Sequence, residues 1–86
     1  MNPFIERLSE LNPKALSADG FDDAIIGVAQ RHGSEPLLAY SISKCLKVLV
    51  DRDGMSEEDA QEFFDFNVIG AWVGDGTPIF IDDTAL

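Results

Sequence analysis

Residues 41–67 read SISKCLKVLVDRDGMSEEDAQEFFDFN, and this stretch holds two helix patterns separated by a glycine. In the first pattern, apolar residues recur at the three- and four-residue spacing of one helix face: Ile42, Cys45, Leu46 and Leu49. Ser41 can cap the start of this helix, which we expect to run to about Arg52. Gly54 follows as a residue that can adopt the left-handed conformation found just after many helices.

The second pattern begins with Ser56 as N-cap and Asp59 as its capping-box partner three residues later. The residues expected to form its buried stripe are Ala60, Phe63, Phe64 and Asn67. The acids expected on nearly the opposite side are Glu58, Glu62 and Asp65. We expect this helix to end between Asn67 and Val73, because Gly70 and Gly74 interrupt the apolar pattern there.

The flanking segments supply one short helix and three strands. A helix is predicted from Pro3, capped by Asn2 and stopped by Asn12-Pro13. The strands are predicted at Ala24–Gln30, Pro36–Tyr40 and Thr77–Ile81, with residues 31–35 as a hairpin loop between the first two. The sequence therefore predicts an α+β fold, in which a small three-stranded antiparallel sheet packs against two helices, plus a short N-terminal helix.

Length and composition indicate one domain over residues 1–86, since two domains of this total size could not each bury a core. The chain is 45 % hydrophobic and has six Phe residues, which is enough material for a packed interior. We interpret residues 23–81 as the core of the domain, residues 1–22 as an N-terminal appendage and residues 82–86 as a frayed tail.

Charge is distributed very unevenly along the chain. Residues 53–86 contain nine carboxylates and no Lys or Arg, whereas residues 1–52 contain seven acids and six bases. Nine of the ten net negative charges therefore lie in the last 34 residues. Because surfaces that bind nucleic acid or anionic lipid need clustered cations, this distribution argues against either as a direct partner.

Three features favour a cytoplasmic location. Cys45 is the single cysteine, so the chain cannot form an internal disulfide, as small secreted domains usually do. The first eleven residues include Glu6 and Glu10 and lack the basic and apolar regions of a signal peptide. No apolar run approaches the roughly 20 residues needed to cross a bilayer, so we expect no membrane partner.

No motif for catalysis, cofactor binding or metal binding is complete in this sequence. Aligning Gly54 with the glycine of a calcium loop puts Leu49 and Ala60 at the two end positions that require acids. Gly70, Gly74 and Gly76 lack the spacing of a phosphate loop and no lysine follows them. We expect no catalytic, cofactor-binding or metal-binding residues, and we interpret these glycines as helix-end and turn residues.

Two further groupings also have plain structural explanations. A nucleophile–base pair would need Cys45 close to the single histidine, His32, but Cys45 lies on an apolar helix face and His32 lies in the hairpin loop. Paired carboxylates such as Asp82 and Asp83 could hold a metal, but adjacent residues in extended chain point apart.

Aromatic and acidic residues together suggest an interaction surface in the C-terminal half. Phe66 lies about 60° outside the apolar stripe of its helix, so it is the aromatic residue that we expect to be exposed. Core packing is the simpler explanation for the other aromatic residues there, including Trp72. The residues proposed for this surface are Glu58, Glu62, Asp65, Phe66 and Trp72.

One block of sequence is similar to a known group of proteins. Residues 53–80 follow the pattern DGMSxExAxEFFxFNVxGAWVGxxTPIF, with AIIGVA at residues 24–29 upstream. This block resembles a family of small acidic proteins encoded by bacteriophages and bacteria. The resemblance implies a phage or prophage origin, and hence the host cytoplasm as location, but it brings no activity and no catalytic residues.

These observations leave three functions to consider. The first is a non-enzymatic phage-type protein that binds a host protein through an acidic, aromatic-containing surface. The second is a DNA mimic that inhibits a nucleic-acid-binding protein, and the third is a small metal-binding or hydrolytic domain built on carboxylates. The sequence leaves the partner and the oligomeric state open, including a homodimer.

Overall fold

The computed structural model describes residues 2–70 and 74–84 of the chain. These described residues form three α-helices, three β-strands and two short helical turns. In chain order these are α1 (Pro3–Leu11), a 3₁₀ turn (Asp22–Ala24), β1 (Ile25–Ala29), β2 (Leu37–Ser41), α2 (Ile42–Asp53), α3 (Glu57–Phe64), a π-helical turn (Asp65–Ile69) and β3 (Ile79–Ile81).

Local capping sets the bounds of α2 and α3 as predicted. The Ser41 hydroxyl accepts a hydrogen bond from the Lys44 amide at 3.1 Å, and the Ser56 hydroxyl accepts one from the Asp59 amide at 3.1 Å. Gly54, just after α2, has a φ of +70°. This left-handed conformation is strained for residues that carry a Cβ atom but not for glycine. The predicted helix starts and the predicted end of the first helix are therefore confirmed.

The strands form one sheet in the order β1-β2-β3. β1 and β2 are antiparallel, as predicted, but β3 runs parallel to β2, so the prediction of a purely antiparallel sheet is wrong. The physical reason lies in the connection, because residues 42–78 include two helices and carry the chain back to the end of the sheet at which β2 begins. A direct hairpin connection would have forced the antiparallel arrangement.

Residues before β1 pack against the rest of the fold. Leu8 of α1 and Phe21 of the following loop are both buried in the core. The Asn2 side chain caps α1 and also donates to the Asp22 carbonyl at 3.2 Å. At the other end of α1, the buried Asn12 side chain donates to the Pro36 carbonyl at 3.0 Å. These contacts hold α1 alongside the β1–β2 hairpin.

Arg52 joins the loop before β1 to the end of α2. Its Nη1 atom donates to the Gly20 carbonyl at 2.6 Å, and its guanidinium lies 5.8 Å from the centre of the Phe21 ring. The same guanidinium bonds both carboxylate oxygens of Asp53, at 2.9 and 3.0 Å. Arg52 therefore neutralises Asp53 and orders the loop at the same time.

The core lies between the sheet and the helices. Three rings connect the two layers, since Phe80 of β3 lies 5.4 Å from Tyr40 of β2 and 5.5 Å from Phe64 of α3, measured between ring centres. The Tyr40 hydroxyl accepts a hydrogen bond from the Ala18 amide at 2.8 Å, so its one polar atom is satisfied. Cys45, Leu49 and Ala60 are fully buried beside these rings, among other residues of the same cluster.

The predicted buried stripe of the second helix is only half correct. Ala60 and Phe64 are fully buried, but Phe63 and Asn67 are exposed. Consecutive helix residues point about 100° apart, so only one member of the Phe63–Phe64 pair can face the centre of the core. After Phe64 the helix widens into the π-helical turn, which rotates Asn67 away from the stripe that the α-helical spacing predicts.

Candidate protein-interaction surface

The most exposed large apolar side chain of the described residues is Phe66, which is 83 % exposed. It lies in the π-helical turn that continues α3, and Phe63 on the preceding turn is 38 % exposed. The two rings line one shallow depression of about 400 Å³ together with Met55, Asp59, Glu62 and Asn67. We call this group the Phe66 surface. It combines two exposed apolar rings with two carboxylates, and exposed aromatic side chains can serve as anchors of a binding surface.

The exposure predicted for Phe66 is thus observed, and its cause is local. Phe64 takes the core position, and the wider turn that begins at Asp65 directs the next aromatic side chain outward. π-helical turns inserted in α-helices occur often at functional sites. An exposed aromatic ring leaves apolar surface in contact with water. A bound partner would bury this surface, which is favourable.

Of the three predicted acids, Glu62 lines the same depression as the Phe66 ring. Glu58, Glu62 and Asp65 are all exposed, and Asp65 accepts a hydrogen bond from the Gln61 side chain at 3.0 Å. Among residues 2–70 and 74–84, the ion pair found is that between Arg52 and Asp53, so no described base neutralises these three acids. The surface around Phe66 is therefore strongly anionic.

The remaining predicted member of the surface, Trp72, lies outside the described residues. Its position relative to Phe66 stays a prediction.

The structure also shows where the other chemical groupings lie. Cys45 is fully buried in the core, and burial raises the pKa of its thiol to about 12, whereas His32 is exposed in the turn after β1. Within the described part of the chain, no group of three or more His, Cys, Asp or Glu side chains is placed to hold a metal ion. Gly54 ends α2 rather than shaping a loop around acidic ligands.

One cluster was missed by the sequence analysis. The carboxylate of Asp83, in the segment expected to fray, accepts hydrogen bonds from the Ser43 amide at 2.8 Å and from the Ser41 hydroxyl. These hydrogen bonds lower the pKa of Asp83 to about 2. The carboxylate lies at the N-terminus of α2, where the helix dipole also favours negative charge. No local signal identifies this contact, because the paired residues lie forty positions apart.

Comparisons of this chain with protein-family models, with curated proteins and with solved structures found no match. None of the helices formed by the described residues is long and apolar enough to span a membrane.

Proposed function

We propose that this protein is a non-enzymatic binding module whose Phe66 surface docks on another protein. The observation that carries the proposal is the exposure of Phe66, 83 %, in a depression that it shares with Asp59 and Glu62, neither of which forms an ion pair with a described base. An exposed ring supplies apolar area to bury, and unpaired carboxylates supply long-range attraction for a cationic partner. The resemblance to small acidic phage proteins points to a bacterial host protein as that partner.

Glu58, Glu62 and Asp65 contribute to recognition in this proposal more than to affinity. Exposed charges steer encounter and raise the association rate, whereas a desolvated aromatic anchor slows dissociation. Loss of the Phe66 ring should therefore shorten the lifetime of the complex. Reversal of the acidic charges should instead slow its formation and weaken its dependence on salt.

A DNA mimic is the second candidate, and a specific observation favours it. The acids Glu57, Glu58, Asp59, Glu62 and Asp65 are all exposed along α3 and its extension. They span about 13 Å at 1.5 Å per residue, or one charge per roughly 2.6 Å, against one per about 1.7 Å of duplex DNA. In this case the partner is a nucleic-acid-binding protein, and the acids rather than the ring provide most of the affinity.

Affinity capture with matched variants tests the proposal. The tagged protein, Phe66→Ala and Leu16→Ala are each immobilised and exposed to a bacterial lysate, and retained proteins are identified by mass spectrometry. Leu16 is an exposed apolar residue of the loop before β1, 43 % exposed, so it is the matched control. We expect at least one protein that the wild type and Leu16→Ala retain and that Phe66→Ala loses.

Salt then separates the two candidates. A DNA mimic should lose its partner steeply between about 0.05 and 0.3 M salt, and Glu62→Lys should abolish capture. A complex anchored by Phe66 should survive that range and respond more to Phe66→Ala than to Glu62→Lys. Identical retained sets for all variants, or no retained protein in several lysates, would contradict both candidates.

A further inference from the structure

The Phe66 surface presents aromatic rings and carboxylates side by side, without a cation of its own. All Lys and Arg residues of the chain lie within residues 1–52, before the exposed rings of Phe63 and Phe66. No member of the surface is Lys, Arg or His. Its two carboxylates, those of Asp59 and Glu62, form no ion pair with a described base. A cation that binds there must therefore come from another molecule.

Helical spacing places each of these carboxylates near one ring. Asp59 precedes Phe63 by four residues, and Glu62 precedes Phe66 by the same spacing. Side chains at this spacing on a helix lie on one face, one above the other. The π-helical turn begins at Asp65, and Glu62 and Phe66 still line the same depression. A group that contacts the Phe66 ring is therefore also close to the Glu62 carboxylate.

The two rings offer enough apolar area to anchor one side chain and its neighbours. A phenylalanine side chain has roughly 200 Å² of surface that can be buried. At 83 % and 38 % exposure, Phe66 and Phe63 together leave about 240 Å² accessible to a partner. Met55, which lines the same depression, adds to this area. The patch reaches the few hundred Å² that is typical of functional apolar patches on small proteins.

Elsewhere in the fold, the chain shows which group can satisfy a ring and a carboxylate together. The Arg52 guanidinium bonds both carboxylate oxygens of Asp53, at 2.9 and 3.0 Å, and lies 5.8 Å from the centre of the Phe21 ring. One planar cation thus contacts a carboxylate and a phenyl ring at the same time. The Phe66 surface has both of these partners but lacks the guanidinium.

Arginine suits such a surface better than lysine. The guanidinium group is planar and weakly hydrated, so it can lie against a ring while its N–H groups donate to a carboxylate. The lysine ammonium is compact and strongly hydrated, so contact with a ring removes more of its favourable solvation. Carboxylates alone would attract either side chain through charge. A ring and a carboxylate in one depression should therefore favour arginine.

A second copy of this chain is a poor source of that arginine. Each copy has a net charge of −10, so two copies repel one another. Arg52 is already bound within its own chain, to the Gly20 carbonyl and to Asp53. A different protein with a cationic surface meets neither objection.

We propose that the Phe66 surface is an arginine-binding site, and that its occupant is a segment of a partner protein in which one arginine is flanked by aliphatic residues. The guanidinium lies against the Phe66 ring and donates to the Glu62 carboxylate, and the aliphatic neighbours cover Phe63. This assignment rests on the docking function proposed above and specifies the residue that the surface recognises. The rings supply most of the affinity, and Glu62 selects arginine over lysine.

Three short peptides with blocked ends provide the test. They share a Gly- and Ser-flanked sequence in which the central residue, between two Leu residues, is Arg, Lys or citrulline, which keeps the planar shape of arginine without its charge. Titration of the Arg peptide into the ¹⁵N-labelled full chain should shift the amide signals of Met55, Glu62, Phe63 and Phe66. The Arg peptide should bind about fivefold more tightly than the Lys peptide and about tenfold more tightly than the citrulline peptide.

Matched substitutions separate the roles of the ring and the carboxylate. Phe66→Ala should weaken binding of the Arg peptide about tenfold. Glu62→Gln should reduce the preference for the Arg peptide over the Lys peptide to less than about twofold. Glu58→Gln removes the same charge from α3 outside the depression, so it should leave that preference near its wild-type value. The dispersion of the amide spectrum shows that each variant is folded.

Three results would overturn the assignment of arginine. The first is equal binding of the Arg and Lys peptides with shifts centred on Phe66, which would leave the proposed docking function intact. The second is an Arg peptide that causes no shift at millimolar concentration or shifts centred away from Phe66. Lysate capture by the wild type and by Phe66→Ala then shows separately whether the docking function also fails. The third is a dimer in sedimentation that Phe66→Ala dissociates, which would make a second copy the occupant.

Discussion

At the scale of single residues, Asp83 and Cys45 show how burial and hydrogen bonding change ordinary side chains. Asp83 is held by the Ser41 hydroxyl and the Ser43 amide at the start of α2. Ser41 is also the N-cap of that helix and is fully buried. The three residues therefore connect the segment after β3 to the junction of β2 and α2, which lies in the interior of the fold.

Asp83 should make stability depend on acid pH. Its pKa is about 2 in the folded protein against about 3.9 in an unfolded chain. Because the pKa is lower in the folded state, the carboxylate stabilises the fold at pH values above the pKa of the unfolded chain. This stabilisation is lost as the pH falls from about 4 to 2. We expect the difference in stability between wild type and Asp83→Asn, measured by urea unfolding, to be larger at pH 6 than at pH 2.5.

Asp75→Asn is the matched control for this measurement, because it removes one exposed carboxylate from a turn. The difference in free energy of unfolding between Asp75→Asn and wild type should vary less with pH than the difference for Asp83→Asn. A pH-independent difference for Asp83→Asn would show that its carboxylate makes no specific contact. Ser41→Ala, which removes the N-cap as well, should cost about 1 kcal/mol at neutral pH.

Cys45 should be nearly unreactive in the folded protein. Burial raises the pKa of its thiol to about 12, so at pH 8 roughly one molecule in 10⁴ carries the reactive thiolate. We expect a thiol reagent such as iodoacetamide to modify Cys45 at a rate that rises with urea and follows the unfolding transition. Rapid modification in the absence of urea would mean that the core opens locally around α2.

At the scale of elements, α3 and its π-helical extension separate a buried aromatic residue from an exposed one. Phe64 is fully buried and its ring lies edge-on to Phe80, whereas Phe66, two residues later, is 83 % exposed. The change of helix type at Asp65 accompanies the change from core residue to surface residue. This arrangement allows the outer ring to vary with little effect on the fold.

Alanine substitutions at the two positions should therefore differ in effect. Phe64→Ala should lower the free energy of unfolding by about 3 to 5 kcal/mol, because it leaves a cavity between α3 and β3. Phe66→Ala should change it by less than about 0.5 kcal/mol. Urea unfolding followed by circular dichroism measures both, with Phe64→Leu as a milder variant should Phe64→Ala not fold. A loss of more than about 1 kcal/mol for Phe66→Ala would place Phe66 in the fold rather than in an interface.

At the scale of the whole molecule, charge and small size work against stability. The chain has a net charge of −10, and the ion pair found in the described part of the chain joins two residues that are adjacent in sequence. A domain of this size buries only about 60 to 65 % of its unfolded surface, so the margin for self-repulsion is narrow. The charge that weakens the fold is also what would attract a cationic partner to the Phe66 surface.

Moderate salt should therefore stabilise the protein. Screening lengths fall to about 10 Å at 0.1 M salt, which weakens repulsion among the exposed carboxylates. We expect the melting temperature to rise between low salt and about 0.2 M sodium chloride, with the larger part of the rise at the low end. A melting temperature that stays constant or falls over this range would show that self-repulsion does not limit stability.

The sequence by itself determined the helices, the hairpin, the exposure of Phe66 and the anionic character of the chain. Each of these depends on residues that lie next to one another, through spacing, capping and turn chemistry, and such signals can be read without knowing the fold. Ser41, Gly54 and Ser56 are examples, since each one acts on its own helix end.

Only the tertiary structure decided the direction of β3 and the hydrogen bonds of Asp83. The direction of β3 depends on how two helices return the chain, and Asp83 contacts residues 40 and 42 positions earlier in the sequence. These properties arise from contacts between distant segments, and the free energy of such contacts is not encoded in any one segment.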